Sequence, residues 1–129
     1  MLRDFHQIKI YIPVSPERSV SLEENVSHSE VLQNIIELIK ISEPIGTVGN
    51  YSGVHEIGAG IEGFTPEENS TPTLGAYGQP ERTRTLVLVT YAPLAAEEAV
   101  SVFTTNVVKL HPWEHPVIEV SIVKLWCPA

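Results

Sequence analysis

The chain has 129 residues, 43% of them hydrophobic and 19% charged, which suits one domain with one core and excludes disorder throughout. Eight basic against sixteen acidic side chains leave a formal charge of −8, which repels phosphate backbones; Arg82 and Arg84 are the closest approach to a basic cluster. The single cysteine, Cys127, rules out an internal disulfide and therefore a stapled scaffold.

Residues 6–12 alternate Ile8, Ile10 and Ile12 with Gln7, Lys9 and Tyr11, the period of a half-buried strand that Pro13 closes. Residues 15–26 are polar and without period, and read as a loop. Ser27 and Glu30 have capping-box spacing ahead of Leu32, Ile35, Ile36 and Ile39, which fall on one helical face before Pro44. Ile45 to about Ile57 reads as a second strand. From Gly58 to Pro80, five glycines and three prolines lie among polar residues, which reads as a long loop. Residues 82–91 form the clearest strand of the chain. Ala96, Ala99, Val100, Phe103, Val107 and Leu110 then repeat at helical spacing, with Pro93 before them and Pro112 after. Val117 to Trp126 reads as a final strand.

The order is β-α-β-β-α-β, which predicts an α+β fold of ferredoxin-like topology, with an antiparallel sheet in the order 4-1-3-2 and two helices on one face. The expected unit is one domain over residues 1–129. Tracing the chain through this fold gathers the 15–26 loop, the 58–80 loop and the turn His111-Pro112-Trp113-Glu114-His115-Pro116 at one end. His55 and Glu56 are expected there too. Strands 2 and 4 are the sheet edges, and the apolar strand 4 predicts a homo-oligomer in which one copy's strand 2 pairs with the next copy's strand 4. Such pairing is expected to bring His55 of one copy toward His111 and His115 of another.

Two segments resemble a known family. Gly46-Thr47-Val48-Gly49-Asn50-Tyr51-Ser52, then Gly58-Ala59-Gly60, Gly63-Phe64-Thr65-Pro66, Thr73-Leu74-Gly75 and Gly78, resemble the insert domain of YqfO-like members of the Nif-three-like family. The turn His111 to Pro116 resembles that family's His-Pro-Tyr-Glu-Glu-Pro, with Trp113 and His115 as departures. The resemblance implies a PII/CutA-like fold, commonly trimeric, with clefts between subunits. It does not imply metal hydrolysis, because the metal ligands of full-length Nif-three-like proteins lie in flanking segments.

The candidate ligand-binding residues are Asn50, Tyr51, His55, Gly75, His111, Glu114 and His115. Two readings of the 111–116 turn stand side by side. In one, His111 and His115, with His55, hold a divalent metal ion in the manner of CutA-like proteins, imidazole being suited to Zn²⁺-type ions. In the other, the prolines fix a rigid turn, Trp113 packs beneath it and Glu114 caps backbone N–H groups. The glycines of 58–63 lack the lysine of a phosphate-binding loop, and no Gly-x-Ser-x-Gly elbow occurs. No catalytic residue and no cofactor is assigned. A non-enzymatic module binding a small ligand or protein partner is the leading expectation, with a small hydrolase resting on family association alone. No stretch spans a bilayer and the start lacks signal-peptide character, so a cytoplasmic protein without membrane or nucleic-acid partners is expected.

Overall fold

The computed structural model describes residues 1–14, 21–72 and 74–128. Its elements are β1 (Leu2–Pro13), α1 (Leu22–His28), α2 (Glu30–Ile41), β2 (His55–Phe64), β3 (Glu81–Pro93), α3 (Glu97–Leu110) and β4 (Ile118–Trp126). The four strands form one antiparallel sheet in the order β2-β3-β1-β4. This is the expected α+β, ferredoxin-like arrangement, with β2 and β4 at the edges and α1 as an additional helix.

Cross-strand register explains which face is buried. Ile8, Ile10 and Ile12 stand opposite Thr90, Leu88 and Leu86 of β3, and Ile57 stands opposite Leu88 from the other side. Because side chains alternate along a strand, these residues share one face of the sheet. Leu32, Ile35 and Ile39 of α2 and Val100, Phe103 and Val107 of α3 recur every three or four residues, so each helix lays one stripe on that face. Each fully buried side chain of this kind contributes about 1.5–3 kcal/mol.

The start of the helical region differs from expectation. Residues 22–26, read as loop, belong to α1, which runs on to His28; residues 15–20 of that expected loop lie outside the described residues. Ser21 caps α1, its Oγ accepting the Glu24 N–H at 3.2 Å. Ser27 therefore sits inside a helix, and its hydroxyl donates to the Glu23 carbonyl at 3.1 Å. Ser29 takes the capping role for α2, in an extended conformation, accepting the Leu32 N–H at 3.2 Å. No residue of α1 is buried, so the segment has no apolar stripe by which periodicity would reveal it.

The second strand lies later than expected. Residues 45–54 are turns, and the strand runs through the glycines, from His55 to Phe64. Gly58, Gly60 and Gly63 weaken strand propensity, yet ten consecutive pairings with β3 hold the segment extended. The long loop accordingly shrinks from 58–80 to 65–80.

Gly46 anchors the 45–54 turns. Its N–H donates to the Tyr91 carbonyl at 2.6 Å and its carbonyl accepts the Val54 N–H at 2.9 Å. Its φ is +80°, and a Cβ there would stand 2.9 Å from Ile39 Cγ2 and 3.2 Å from Gly53 Cα. Gly49 also has positive φ, at +58°, but nothing lies within 4 Å of its added Cβ. Both Ala substitutions incur backbone strain of about 1–2 kcal/mol. Only Gly46→Ala adds a clash with packed neighbours. Urea titration is expected to show Gly46→Ala less stable than Gly49→Ala by at least about 1 kcal/mol.

Candidate functional site

The sheet has two ends. One holds Pro13, Phe64, Glu81 and Ile118, and is called distal here; the other holds Leu2, His55, Pro93 and Trp126, and is called proximal. The chain leaves α3 at the distal end through His111, which is buried. The His111 N–H closes the helix on the Val107 carbonyl at 3.0 Å. Trp113 N–H donates to His111 Nδ1 at 3.1 Å. A backbone N–H can only donate, so Nδ1 is an acceptor and carries no proton. The proton of the neutral ring is thus on Nε2, which donates to the Tyr11 carbonyl at 2.6 Å. One tautomer satisfies both bonds and ties the turn to β1. Desolvation lowers the pKa of His111 below the usual histidine value, opposed by the bond to the Tyr11 carbonyl.

The turn then reaches across to the 65–80 segment. The Trp113 ring packs on Phe64, with centroids 5.6 Å apart and planes tilted by 57°, and its edge meets His111 at 5.8 Å. Glu114 Oε2 accepts the Thr71 N–H at 2.8 Å. Within the segment, Gly78 N–H donates to the Pro66 carbonyl at 2.9 Å and the Tyr77 hydroxyl to the Ser70 carbonyl at 2.9 Å. These bonds fold the segment on itself and leave a pocket of about 110 Å³ lined by Phe64, Pro66, Pro72, Leu74, Trp113 and His115, with Glu114 and Ser70 at its polar side. Gly75 is exposed nearby, with φ +88° and Pro66 within 3.5 Å of an added Cβ. Thr73, part of the Thr73-Leu74-Gly75 resemblance, lies outside the described residues.

The structure thus brings Gly75, His111, Glu114 and His115 to one end. It does not bring Asn50, Tyr51 and His55 there. His55 opens β2 opposite Thr90, while Phe64 closes it opposite Glu81. Nine residues of strand separate them by roughly 30 Å. Asn50 and the exposed Tyr51 lie on the turns that precede His55 and are bonded to that same proximal region through Gly46 and Tyr91. His55 Nδ1 is 2.8 Å from the Gly53 carbonyl. The expectation that His55 and Glu56 share the end of the 111–116 turn is therefore corrected. The physical reason is that β2 begins at His55 and runs on to Phe64, instead of ending near Ile57.

No protein-family model matches the sequence, and no curated protein matches it. Among solved structures, the chain is similar to a Bacillus cereus protein related to NIF3, with a TM-score of 0.64 and 20% sequence identity. The match covers 95% of this chain but 26% of that one, so the chain spans about a quarter of the length of its structural neighbour. The likeness is one of fold.

Chemically, the distal site offers an aromatic and proline-lined recess with a carboxylate and an imidazole at its side. Both ring nitrogens of His111 are engaged by backbone, so metal ligation by His111 would give up one of those bonds. Among the described residues, no group of three His, Cys, Asp or Glu side chains stands close enough to hold a metal ion. Cys127 is buried, and its N–H and carbonyl pair with the carbonyl and amine of Met1, both at 2.7 Å. Sequence reasoning missed Phe64, Pro66, Pro72 and Leu74 as lining residues. The Gly-x-Phe-x-Pro run contained the signal for the first two, since an aromatic and a proline beside strand glycines mark a strand end as readily as a loop.

Proposed function

We propose that this chain is a non-enzymatic PII/CutA-like binding or signalling module related to Nif-three-like proteins, acting as a homo-oligomer, with a trimer favoured. The observation that supports binding is the closure of the 65–80 segment over Trp113 by the Glu114–Thr71 bond, which frames a recess with few polar groups. At about 110 Å³ the recess is smaller than the roughly 300–1,000 Å³ of a pocket that encloses a whole ligand, so it suits one apolar group of a ligand oriented by one or two polar contacts. Support for an oligomer comes from β4, an open edge with Val120, Ile122 and Trp126 exposed at 46%, 64% and 71%. The likeness to the NIF3-related structure supports the relationship at the level of fold.

The position of His55 constrains how copies pair. If β2 of one copy continues the sheet antiparallel to β4 of the next, His55 meets the Trp126 end of β4. His111 and His115 lie at the Ile118 end. A composite histidine site between copies therefore requires parallel pairing of these edges.

The reading is tested in two steps. Sedimentation velocity is expected to show an oligomer, and a monomer at all concentrations would remove the intersubunit clefts from the proposal. A thermal-shift screen of nucleotides and metabolites follows, on a Trp126→Phe chain whose remaining tryptophan is Trp113. A true ligand raises the melting temperature and changes Trp113 fluorescence. Silence throughout the screen, together with no fluorescence response, would contradict small-ligand binding at this site.

A further inference from the structure

A second concavity lies at the proximal end, away from the site described above. It is a groove of about 610 Å³ between the chain that leaves α2 and the first two turns of α3. Pro44, Pro93, Ala99 and Val102 supply its apolar floor and walls, and Glu43 and Glu98 its charged groups. Val102 is 56% exposed, and Ile41, next to the lining residue Ser42, is 81% exposed. Exposed apolar side chains thus stand both in the groove and beside it on the α2 side, so the apolar patch extends past the concavity itself.

Charge selects the occupant. The described lining contains two carboxylates from different elements and no Lys, Arg or His. Glu97 stands beside Glu98 in the first turn of α3. The positive end of the α3 dipole amounts to about half an elementary charge, which these carboxylates outweigh. Lys40, the cation in the last turn of α2, is already held by Glu37 at 2.9 Å. An apolar trough edged by unopposed carboxylates, on a chain of net charge −8, is complementary to an apolar face flanked by cations.

We propose that this groove docks an amphipathic helical segment of a partner protein, with Leu-type side chains against Pro44, Ala99 and Val102 and with Lys or Arg side chains toward Glu43 and Glu98. The mode is that of a helix laid in a groove, its apolar anchors spaced at three and four residues. Opposite charges at the rim set the orientation and the rate of encounter. This inference is independent of the distal recess and of any ligand there.

The test uses the full chain and a fluorescently labelled leucine–lysine amphipathic helical peptide. Anisotropy titration is expected to saturate, with amide shift changes confined to residues 41–44 and 93–103. The Glu43→Lys/Glu98→Lys double variant is expected to weaken binding by at least about tenfold, and Val102→Ser also to weaken it. The double variant Glu67→Lys/Glu68→Lys makes the same charge change on the distal segment and is expected to weaken binding less than about threefold. Equal weakening by both double variants would mean attraction to net charge alone and would overturn the proposal. So would shift changes elsewhere, or no binding. A change in sedimentation on Val102→Ser without peptide would assign the groove to a second copy of the chain and would overturn it equally.

Discussion

Replacing His111 with alanine is expected to destabilise the chain by about 3 kcal/mol, the larger part from backbone groups left unpaired. The imidazole accepts the Trp113 N–H and donates to the Tyr11 carbonyl, and it is 7% exposed. Removing it leaves two polar groups in a partly buried position, each costing about 1–3 kcal/mol, and opens a cavity besides. A loss of this size lowers the melting temperature by on the order of 10 °C. His111→Phe, which restores volume but neither bond, is expected to recover less than half of the loss.

The same residue predicts a pH dependence of definite sign. Its folded-state pKa is lowered, so below the ordinary histidine range the unfolded chain takes up a proton that the folded chain resists. Stability from His111 is fully present above pH about 6.5 and declines as pH falls through that value toward the lowered folded pKa. Protonation places a hydrogen on Nδ1, facing the Trp113 N–H, and converts an attraction into a repulsion. Urea titrations at several pH values on the native chain and on His111→Phe isolate this contribution, because the other histidines are common to both. A difference between the two chains that is flat with pH would contradict the lowered pKa of His111.

Phe103→Ala is expected to cost about 3–5 kcal/mol, the largest effect of a single truncation in this molecule. Phe103 is completely buried between α3 and the sheet, within the cluster that joins Leu32, Ile35 and Ile39 to Ile8, Ile10 and Leu88. Its neighbour Val102 points outward, and Val102→Ala is expected to change stability by less than about 0.5 kcal/mol. Chemical denaturation of both variants measures the contrast, and comparable losses would mean that α3 is rotated from its described position.

These two residues also show why much of the fold was legible and part was not. Phe103 belongs to a helix whose apolar residues recur at three and four, and β1 and β3 alternate at two; such periodicities survive in the sequence because one face must be buried. From them followed the element types and the sheet order. β2 carries three glycines and half-buried alternation, so its identity rests on pairing with β3, which no local pattern records. α1 buries none of its residues and so has no period to find. Because β2 starts at His55 instead of ending near it, His55 lies at the opposite end of the sheet from the 111–116 turn. At the site, the nearness of the 111–116 turn to the glycine- and proline-rich segment followed from topology alone. That Glu114 caps a backbone N–H was one of two readings open in the sequence, and the bond to Thr71 is what the structure adds. The tautomer of His111 needed the Tyr11 and Trp113 positions, a hundred and two residues away along the chain respectively.

Amide exchange at Thr71, followed by NMR in the native chain and in Glu114→Ala, tests most directly that the 111–116 turn and the 65–80 segment form one site. In the native chain the Thr71 amide is expected to be protected and the Phe64 and Trp113 rings to give mutual cross-peaks; in Glu114→Ala protection falls while β1, β3 and the helices keep theirs. An unprotected Thr71 amide in the native chain, with no cross-peaks between the two rings, would place the two segments apart and remove the site.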